Sequence, residues 1–239
     1  MARVLHAIDD FNKGVQTATF KKIWAKLLKE YDNKIGIKLI WQQSLDSISI
    51  KSPLGGDLTG SSPVDRSKLG TKRHILTDKN GIPLSAIISP ASTHDIKLVT
   101  DVIDNLVIKQ TFVSNKPKKG IKQRRLKHNH LCLDRAYQSK AIKREIIKRG
   151  YVPHIPYKRK RGQKKEENTN QKRYYHSQKK NMGCREREQT RWHSRFRKLF
   201  TRHEKKVENY LGLVQLSCRI IIYRKLILGY ALNYFIDIY

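Results

Sequence analysis

Residues 128–141 read HNHLCLDRAYQSKA, and this stretch decides the fold. Its apolar run LCL is typical of a short buried strand, and the run ends on an acid, Asp134. An earlier stretch, residues 44–52, reads SLDSISIKS and alternates apolar and polar residues, which predicts a strand that carries Asp46. If the two strands are neighbours, both carboxylates lie at the same end of one sheet. From the spacing alone, Asp134 has an equal claim to capping the next turn or helix.

The remaining segments alternate between strand and helix signals. Residues 71–91 predict two strands joined at Asn80-Gly81, because this dipeptide is a strong hairpin signal. The other predicted elements are helices over 19–33, 93–109 (with Thr93 as N-cap) and 139–150, an edge strand with two prolines over 151–157, and continuous helix over 185–218. This order predicts an α/β fold with a mixed sheet flanked by helices. The sequence has no glycine fingerprint of a dinucleotide fold and no P-loop.

The charge of the chain is strongly positive. Its 239 residues include 51 Lys and Arg against 20 Asp and Glu, a formal net charge of +31 at pH 7. A field of this sign indicates a polyanionic partner, with nucleic acid first and an acidic membrane surface second. A solvated basic face is the alternative. Two basic stretches, 116–127 and 158–180, are expected to contact DNA phosphates. Such contacts position DNA without reading its sequence.

The three cysteines, Cys132, Cys184 and Cys218, are odd in number and widely spaced, and no CxxC motif occurs. We therefore expect no structural zinc site, and we expect reduced cysteines in a cytoplasmic location. The N-terminus lacks the apolar core of a signal peptide. The apolar run over 210–239 is divided by basic residues into pieces too short to span a membrane.

Two acids at one end of a sheet indicate a metal site. Close carboxylates repel each other, so one of them tends to hold a proton unless a cation lies between them. Mg²⁺ takes hard oxygen ligands and is commonly held by one or two carboxylates together with substrate phosphates. Asp46 and Asp134 are therefore candidate ligands of a divalent cation. Other acids have weaker claims, because Asp78 precedes a turn and Asp95 suits the first turn of a helix.

Four motifs occur in the order of a known family. They are SLDSISIKSPLGG from residue 44, DRSKLGTKRHILTDKNGIPLSAIISPASTHD from residue 65, LCLDRAY from residue 131 and RWHSRFRKLFTRHEKKVENYLGLVQLSC from residue 191. Over residues 18–230 this series resembles a bacterial insertion-sequence transposase of the DDE class, of the insertion-sequence-five type. The resemblance implies a ribonuclease-H-like fold, with one Asp on the first strand, a second Asp after the fourth strand and a Glu on a later helix. Asp46 matches the first position and Asp134 the second.

The third acid has two candidates. In relatives the Glu is followed by Arg, and a Trp lies five residues after the Glu. Glu186 and Arg187 reproduce the dipeptide, whereas Trp192 lies six residues after Glu186 and four residues after Glu188. We choose Glu186 and keep Glu188 as the alternative.

The resemblance also implies the cofactor, the reaction and the partners. Asp46, Asp134 and Glu186 would bind two Mg²⁺ or Mn²⁺ ions for metal-dependent cleavage of DNA at insertion-sequence ends, followed by strand transfer into target DNA. The expected partners are DNA and further copies of the chain in a homo-oligomer, with no membrane, and the expected location is the cytoplasm of a bacterium, at the nucleoid. The expected DNA-binding residues are Lys118, Lys119, Arg124, Arg125, Lys158, Arg159, Lys160, Arg161, Arg187, Arg191 and Arg195.

The predicted domain organisation has three parts. Residues 1–36 form a helical segment that we interpret as the remnant of a DNA-binding region. Residues 37–230 form the catalytic domain with a basic insertion at 158–183, and residues 231–239 form a tail. Two other functions stay open: a catalytically inactive remnant that binds DNA non-specifically, and an RNA-binding protein. The altered spacing of Glu and Trp favours the first, and the acid-bearing strands argue against the second.

Overall fold

The computed structural model describes residues 2–35, 43–108, 129–156, 193 and 195–228. Within these residues one sheet has six strands: β1 Gln43–Lys51, β2 Gly60–Ser61, β3 Leu69–Asp78, β4 Pro83–Pro90, β5 Asn129–Cys132 and β6 Tyr151–His154. The helices are α1 Ala2–Gln16, α2 Thr19–Ile35, α3 Val99–Asp104, α4 Lys140–Lys148, α5 Arg197–Phe200 and α6 Val207–Leu228, with short 3₁₀ helices at Asp95–Leu98 and Arg135–Tyr137.

The sheet is mixed, and its first strand lies at the centre. β3 pairs antiparallel with β1 and with β4, whereas β5 pairs parallel with β1 and with β6. With the two-residue β2 set aside, the strands lie in the order β4, β3, β1, β5, β6. Because β5 and β6 are parallel, their connection must cross over the sheet, and it contains α4. This is a mixed α/β sheet flanked by helices, as the sequence predicts, and the predicted α/β fold class is confirmed.

The β3–β4 hairpin forms where the sequence predicts it. Asp78 ends β3, and its Oδ1 accepts hydrogen bonds from the backbone N–H groups of Asn80 and Ile82, both at 2.8 Å. Gly81 has φ +75°, a left-handed conformation that glycine adopts without steric cost. Asp78 is fully buried, and its Oδ2 has no hydrogen-bond partner among the described residues. Burial raises the pKa of Asp78 to about 6, against the lowering effects of the two backbone bonds and of Lys225.

This raised pKa makes the stability of the fold depend on pH. The carboxyl of Asp78 holds a proton up to about pH 6 in the folded chain, but only up to about pH 4 at its ordinary pKa of 3.8. The folded state therefore binds more protons than the unfolded state between pH 4 and 6. The contribution of the neutral Asp78 carboxyl to the free energy of unfolding is complete below pH 4 and is lost as the pH rises through 6.

Asp78→Asn should remove that dependence. The amide keeps the Oδ1 acceptor and carries no charge, so we expect the variant to be more stable than the native chain at pH 7 by about 1–3 kcal/mol and equal to it near pH 4. Urea unfolding of both proteins from pH 4 to 7 measures the difference. Asp101→Asn, at an exposed position in α3, is the control. A stability difference that does not change with pH would show that Asp78 does not titrate in this way.

The helices on the β4 side of the sheet supply much of the core. α6 packs on β4 and on α2. Its buried residues recur every four positions, as expected of a helix face that packs on a core: Tyr210, Val214, Cys218 and Ile222, each 0 % exposed. From α2, Trp24 is buried and its Nε1 donates to the carbonyl oxygen of Pro83 at 3.1 Å. The helix predicted over 19–33 is therefore confirmed as α2, and its apolar side is part of the core.

Among the described residues, no helix combines the length and apolarity that a membrane crossing requires, and this includes α6.

The prediction of continuous helix over 185–218 is wrong between α5 and α6. Residues 201–206 are not helical, and Thr201 instead forms a parallel bridge with Lys51 of β1. The reason is Arg202, which is 0 % exposed and donates from Nε to the carbonyl oxygen of Glu204 at 2.8 Å and from Nη2 to that of Lys205 at 3.0 Å. A side chain that turns inward to bind these carbonyl groups competes with the helical hydrogen bonds of the same segment.

Two other expectations also differ from the structure. The helix predicted from Thr93 begins as a 3₁₀ helix after His94, with no side-chain cap, and its α-helical part ends at Asp104 rather than at 109. Cys218 is a free buried thiol, but Cys132 is disulfide-bonded, so the expectation of reduced cysteines does not hold for it. An odd number of widely spaced cysteines does not define a pairing, and the sequence therefore gave no signal for this bond.

Candidate active site

Asp46 lies in the middle of β1 on the face of the sheet that α5 and α6 cover. It pairs with Ile75 of β3, and side chains two residues apart share a face, so Asp46 and Arg73 lie on the same side. Arg73 donates from Nη1 to the carbonyl oxygen of Leu199 in α5 at 3.4 Å. The Asp46 side chain is half-buried, and its Oδ1 accepts a hydrogen bond from the N–H of Ser47 at 2.9 Å. One oxygen of the Asp46 carboxylate is therefore held in place by the backbone of the next residue.

Asp134 follows β5, the parallel neighbour of β1. The paired residues are Gln43 with Leu131 and Ser44 with Cys132. Asp46 and Asp134 each follow the last residue pair of the β1–β5 ladder by two positions, and the backbone of Asp134 is still extended, with φ −75° and ψ 179°. The strands that carry or precede the two acids are therefore parallel neighbours in the sheet.

Asp134 is also a cap, as the alternative interpretation of the sequence proposed. Its Oδ1 accepts a hydrogen bond from the N–H of Ala136 at 2.8 Å and so begins the 3₁₀ helix Arg135–Tyr137. The side chain is exposed, and among the described residues no hydrogen bond or ion pair of Oδ2 is found. Capping therefore uses one oxygen and fixes the orientation of the carboxylate, while the other oxygen faces solvent and can bind a cation.

A buried tyrosine lies close to both acids. Tyr137 is 1 % exposed, and burial is the main cause that raises the pKa of its hydroxyl. The carboxylates of Asp95, Asp46 and Asp134 raise this pKa further, so all three acids act on the same hydroxyl group. Asp95 already has a cationic partner, because Lys72 Nζ lies 2.9 Å from its Oδ1.

Among the described residues, no group of three or more His, Cys, Asp or Glu side chains could hold a metal ion by itself. The two carboxylates fit a hard divalent cation such as Mg²⁺ in the chemistry of their oxygen atoms, and such a cation commonly takes one or two protein carboxylates. The described part of the site thus contains two candidate ligands.

The histidines of the described sheet and its covering helices have structural partners. Nε2 of His74 lies 2.9 Å from Ser89 Oγ, and burial lowers the pKa of His74 to about 4. Nδ1 of His193 lies 2.8 Å from Ser217 Oγ, and burial followed by the charge of Arg73 lowers the pKa of His193 well below its ordinary value. Both rings are therefore neutral near pH 7, and each has a hydroxyl partner inside the fold.

Most of the other predicted site residues lie outside the described residues. Arg195 is described, and it is an exposed residue two positions before α5. The predicted site residues that fall outside the description are Lys118, Lys119, Arg124, Arg125, Lys158, Arg159, Lys160, Arg161, Glu186, Arg187, Glu188 and Arg191.

Sequence reasoning missed Tyr137 and Arg73 as neighbours of the acids. Tyr137 stands three residues after Asp134 in LCLDRAY, and an aromatic residue one turn after a strand-end acid is a signal that could have found it. Arg73 occupies a strand with apolar residues on both faces, and a charged residue in such a strand indicates an interior position with a specific role.

Comparison with known proteins identifies the family. A family model described as a transposase DDE domain matches residues 42–213, which contain both aligned acids. The chain belongs to the transposase DDE domain family. Glu186 and Glu188 also lie inside the matched region of this DDE domain.

One curated relative of this DDE domain is a protein assigned as a transposase for insertion sequence element IS402 of Burkholderia cepacia. It is 33 % identical over 106 residues, which are 44 % of this chain and 46 % of the relative. The match thus spans about half the length of that relative. Among solved structures, the catalytic domain of Mos1 mariner transposase aligns over 84 % of this chain and 88 % of that chain, with 12 % identity and a TM-score of 0.30. A TM-score this low carries no argument about function.

Proposed function

We propose that this DDE domain catalyses metal-dependent DNA cleavage at the ends of an insertion sequence and transfer of the freed strand into target DNA. The observation that supports the proposal is the parallel pairing of β1, which carries Asp46, with β5, which Asp134 follows, within the region that matches the family. A pair of aspartates at the end of a sheet can bind a divalent cation against a phosphate group. The strong positive charge of the chain suits a DNA substrate.

Asp46 and Asp134 would hold the metal, as Mg²⁺ or Mn²⁺ in a two-ion site. When bound, such ions lower the pKa of water and stabilise the attacking and leaving oxygens of an in-line phosphoryl transfer. The two aspartates have different tasks in this arrangement. Asp46 is half-buried and accepts a hydrogen bond from Ser47, so it would form the inner side of the site. Asp134 is exposed and would lie on the side from which DNA approaches.

We propose Glu186 as the third acid. The order of Glu186 and Arg187 supports this choice, because the relatives that the sequence resembles carry the same dipeptide, whereas Glu188 is followed by Gln189.

DNA would lie over the exposed edge next to Asp134. Arg135 and Lys140 are exposed there, beside the acid and at the start of α4. We expect them to contact phosphates together with Arg195 and the basic stretches 116–127 and 158–180, and each phosphate contact adds roughly −0.9 to the slope of log affinity against log salt concentration. These contacts position DNA, and they leave the recognition of end sequences to other interactions. We further expect that the chain works as a homo-oligomer associated with the bacterial nucleoid.

The test is metal-dependent cleavage of DNA that carries the inverted repeats flanking the gene. Purified protein should nick and join this DNA with Mg²⁺ or Mn²⁺, and EDTA should lower the rate to that of the uncatalysed reaction, because the aspartates lose the cation that they hold. Restoring Mg²⁺ should restore the rate. Cleavage that continues at the same rate in EDTA would contradict the proposal.

A second candidate function is DNA binding without catalysis. The observation that favours it is the spacing of Trp192, which is six residues from Glu186 and four from Glu188 instead of five. The same assay distinguishes the two functions, since salt-sensitive DNA binding with no cleavage in either metal would support the inactive chain.

A further inference from the structure

Tyr137 is joined to Asp134 through a single turn of 3₁₀ helix. The carboxylate of Asp134 caps the turn through the N–H of Ala136, and the backbone oxygen of Asp134 accepts from the N–H of Tyr137 at 3.4 Å. The turn is three residues long, from Arg135 to Tyr137. Any displacement of the Tyr137 side chain is therefore transmitted to the backbone that carries the Asp134 carboxylate.

The other end of Tyr137 reaches the strand that carries Asp46. Its side chain is 1 % exposed, and Ser47 of β1 lies close enough to its hydroxyl to lower the pKa of the phenol. The two hydroxyls are not aligned for a regular hydrogen bond, because Oη of Tyr137 has no such partner among the described residues. Ser47 in turn donates its backbone N–H to Oδ1 of Asp46 at 2.9 Å. Tyr137 thus spans the distance between the two acid-bearing segments.

The charges around Tyr137 keep its hydroxyl protonated. Burial raises the pKa of the phenol most, and the carboxylates of Asp95, Asp46 and Asp134 raise it further. The nearby cation of Lys72 is engaged, because its Nζ lies 2.9 Å from Asp95 and 2.8 Å from the carbonyl oxygen of Thr93. A neutral phenol in this position is a hydrogen-bond donor next to acceptor groups.

We propose that Tyr137 is a positioning residue that sets the spacing between the carboxylates of Asp46 and Asp134, and this inference rests on the proposed function of the acid pair. A buried hydroxyl without a partner costs about 1–3 kcal/mol, whereas phenylalanine would fill the same space without that cost. The oxygen atom is therefore unfavourable for folding alone, which points to a role in the site. Groups that orient metal ligands typically change metal affinity by about 10–100-fold when they are removed.

The experiment measures Mn²⁺ binding to the full chain without DNA, by electron paramagnetic resonance of the free ion. Tyr137→Phe should weaken binding by about 10-fold and leave the number of bound ions unchanged. The matched control is Tyr151→Phe, which removes the hydroxyl of another buried tyrosine, on β6 beside Gln43. The control should bind Mn²⁺ with native affinity, and both variants should keep the thermal stability of the native chain within a few degrees.

A second variant tests whether the effect passes through β1. Ser47→Ala should weaken Mn²⁺ binding as well, and the double variant should lose no more than Tyr137→Phe alone, because both changes remove the same close approach of Tyr137 to β1. Native affinity in Tyr137→Phe, or an equal loss in Tyr151→Phe, would overturn the inference while leaving the proposed function intact. If the native chain and Asp134→Asn bind Mn²⁺ equally, the acid pair is not a metal site, and the proposed function fails together with the inference.

Discussion

Asp134→Asn is expected to lower the rate of DNA cleavage by at least about 10³-fold while DNA affinity stays near the native value. A bound metal supplies several kcal/mol of charge stabilisation in the transition state, and each 1.36 kcal/mol is a factor of ten in rate. The amide removes the negative charge that would hold the metal. It keeps the Oδ1 acceptor for the N–H of Ala136, and asparagine is as good a cap as aspartate, so the turn should stay folded.

The measurement is single-turnover cleavage of inverted-repeat DNA in Mg²⁺, together with DNA binding at fixed salt. Asp46→Asn should show the same loss of cleavage. Its Oδ1 can likewise keep the hydrogen bond from the N–H of Ser47, so this change should not disturb the fold. The matched control is Asp101→Asn, which removes a charge from an exposed position in α3 and should leave cleavage within about twofold, since surface charge pairs contribute little. Cleavage at the native rate by Asp134→Asn would remove this residue from the active site.

Arg202→Ala is expected to lower the free energy of unfolding by about 3–5 kcal/mol. The guanidinium is buried between β3 and the segment before α6, and Nη1 donates to Thr71 Oγ1 at 3.1 Å in addition to its two bonds to carbonyl oxygens. Its carbon atom also lies 5.6 Å from the centre of the Tyr210 ring. Alanine takes the donor away from three acceptors, of which Thr71 Oγ1 is buried and the two carbonyl oxygens are partly buried, and it opens a cavity. The carbonyl oxygen of Lys205 keeps the N–H of Asp57 at 2.9 Å as a second donor.

Urea denaturation followed by circular dichroism measures this loss of stability. Arg197→Ala, at an exposed position in α5, is the matched control and should change the free energy of unfolding by less than about 0.5 kcal/mol. Arg202→Lys should lie between the two, because lysine keeps the charge but cannot donate in three fixed directions. A loss below about 1 kcal/mol in Arg202→Ala would mean that other groups, or water, satisfy the three acceptors.

The elements that could be predicted from the sequence are those with local causes. The β3–β4 hairpin follows from Asn80-Gly81 and the cap of Asp78, and the α2 helix follows from apolar residues at helical spacing. Residues 201–206 could not be predicted, because Arg202 reads as an exposed helical residue until the position of Thr71 is known. Its conformation depends on a contact between segments far apart in the chain.

The same distinction holds for the candidate site. Asp46 and Asp134 could be chosen from the strand patterns around them, and their alignment on β1 and β5 agrees with that choice, although their binding of a metal stays a prediction. Tyr137 and Arg73 carry a weaker signal in the sequence, because a tyrosine after a turn and an arginine in a strand have many roles. Their relation to the acids appears only when the register of β1 with β3 and the 3₁₀ turn after β5 are known.

The short ladder that joins β1 to β5, the β1–β5 joint, affects how Asp46 and Asp134 can move apart. Within the described residues β1 aligns nine residue pairs with β3, but two with β5, and β5 aligns four with β6. Asp46 therefore belongs to an antiparallel unit and Asp134 to a parallel one, and the ladder between the two units has two residue pairs, as few as that of the two-residue β2 with β3. Local opening is easiest where the fewest bonds must break, so the pair can separate while each unit stays intact. A cation held by both carboxylates would act as a cross-link over this joint and would favour its closed form.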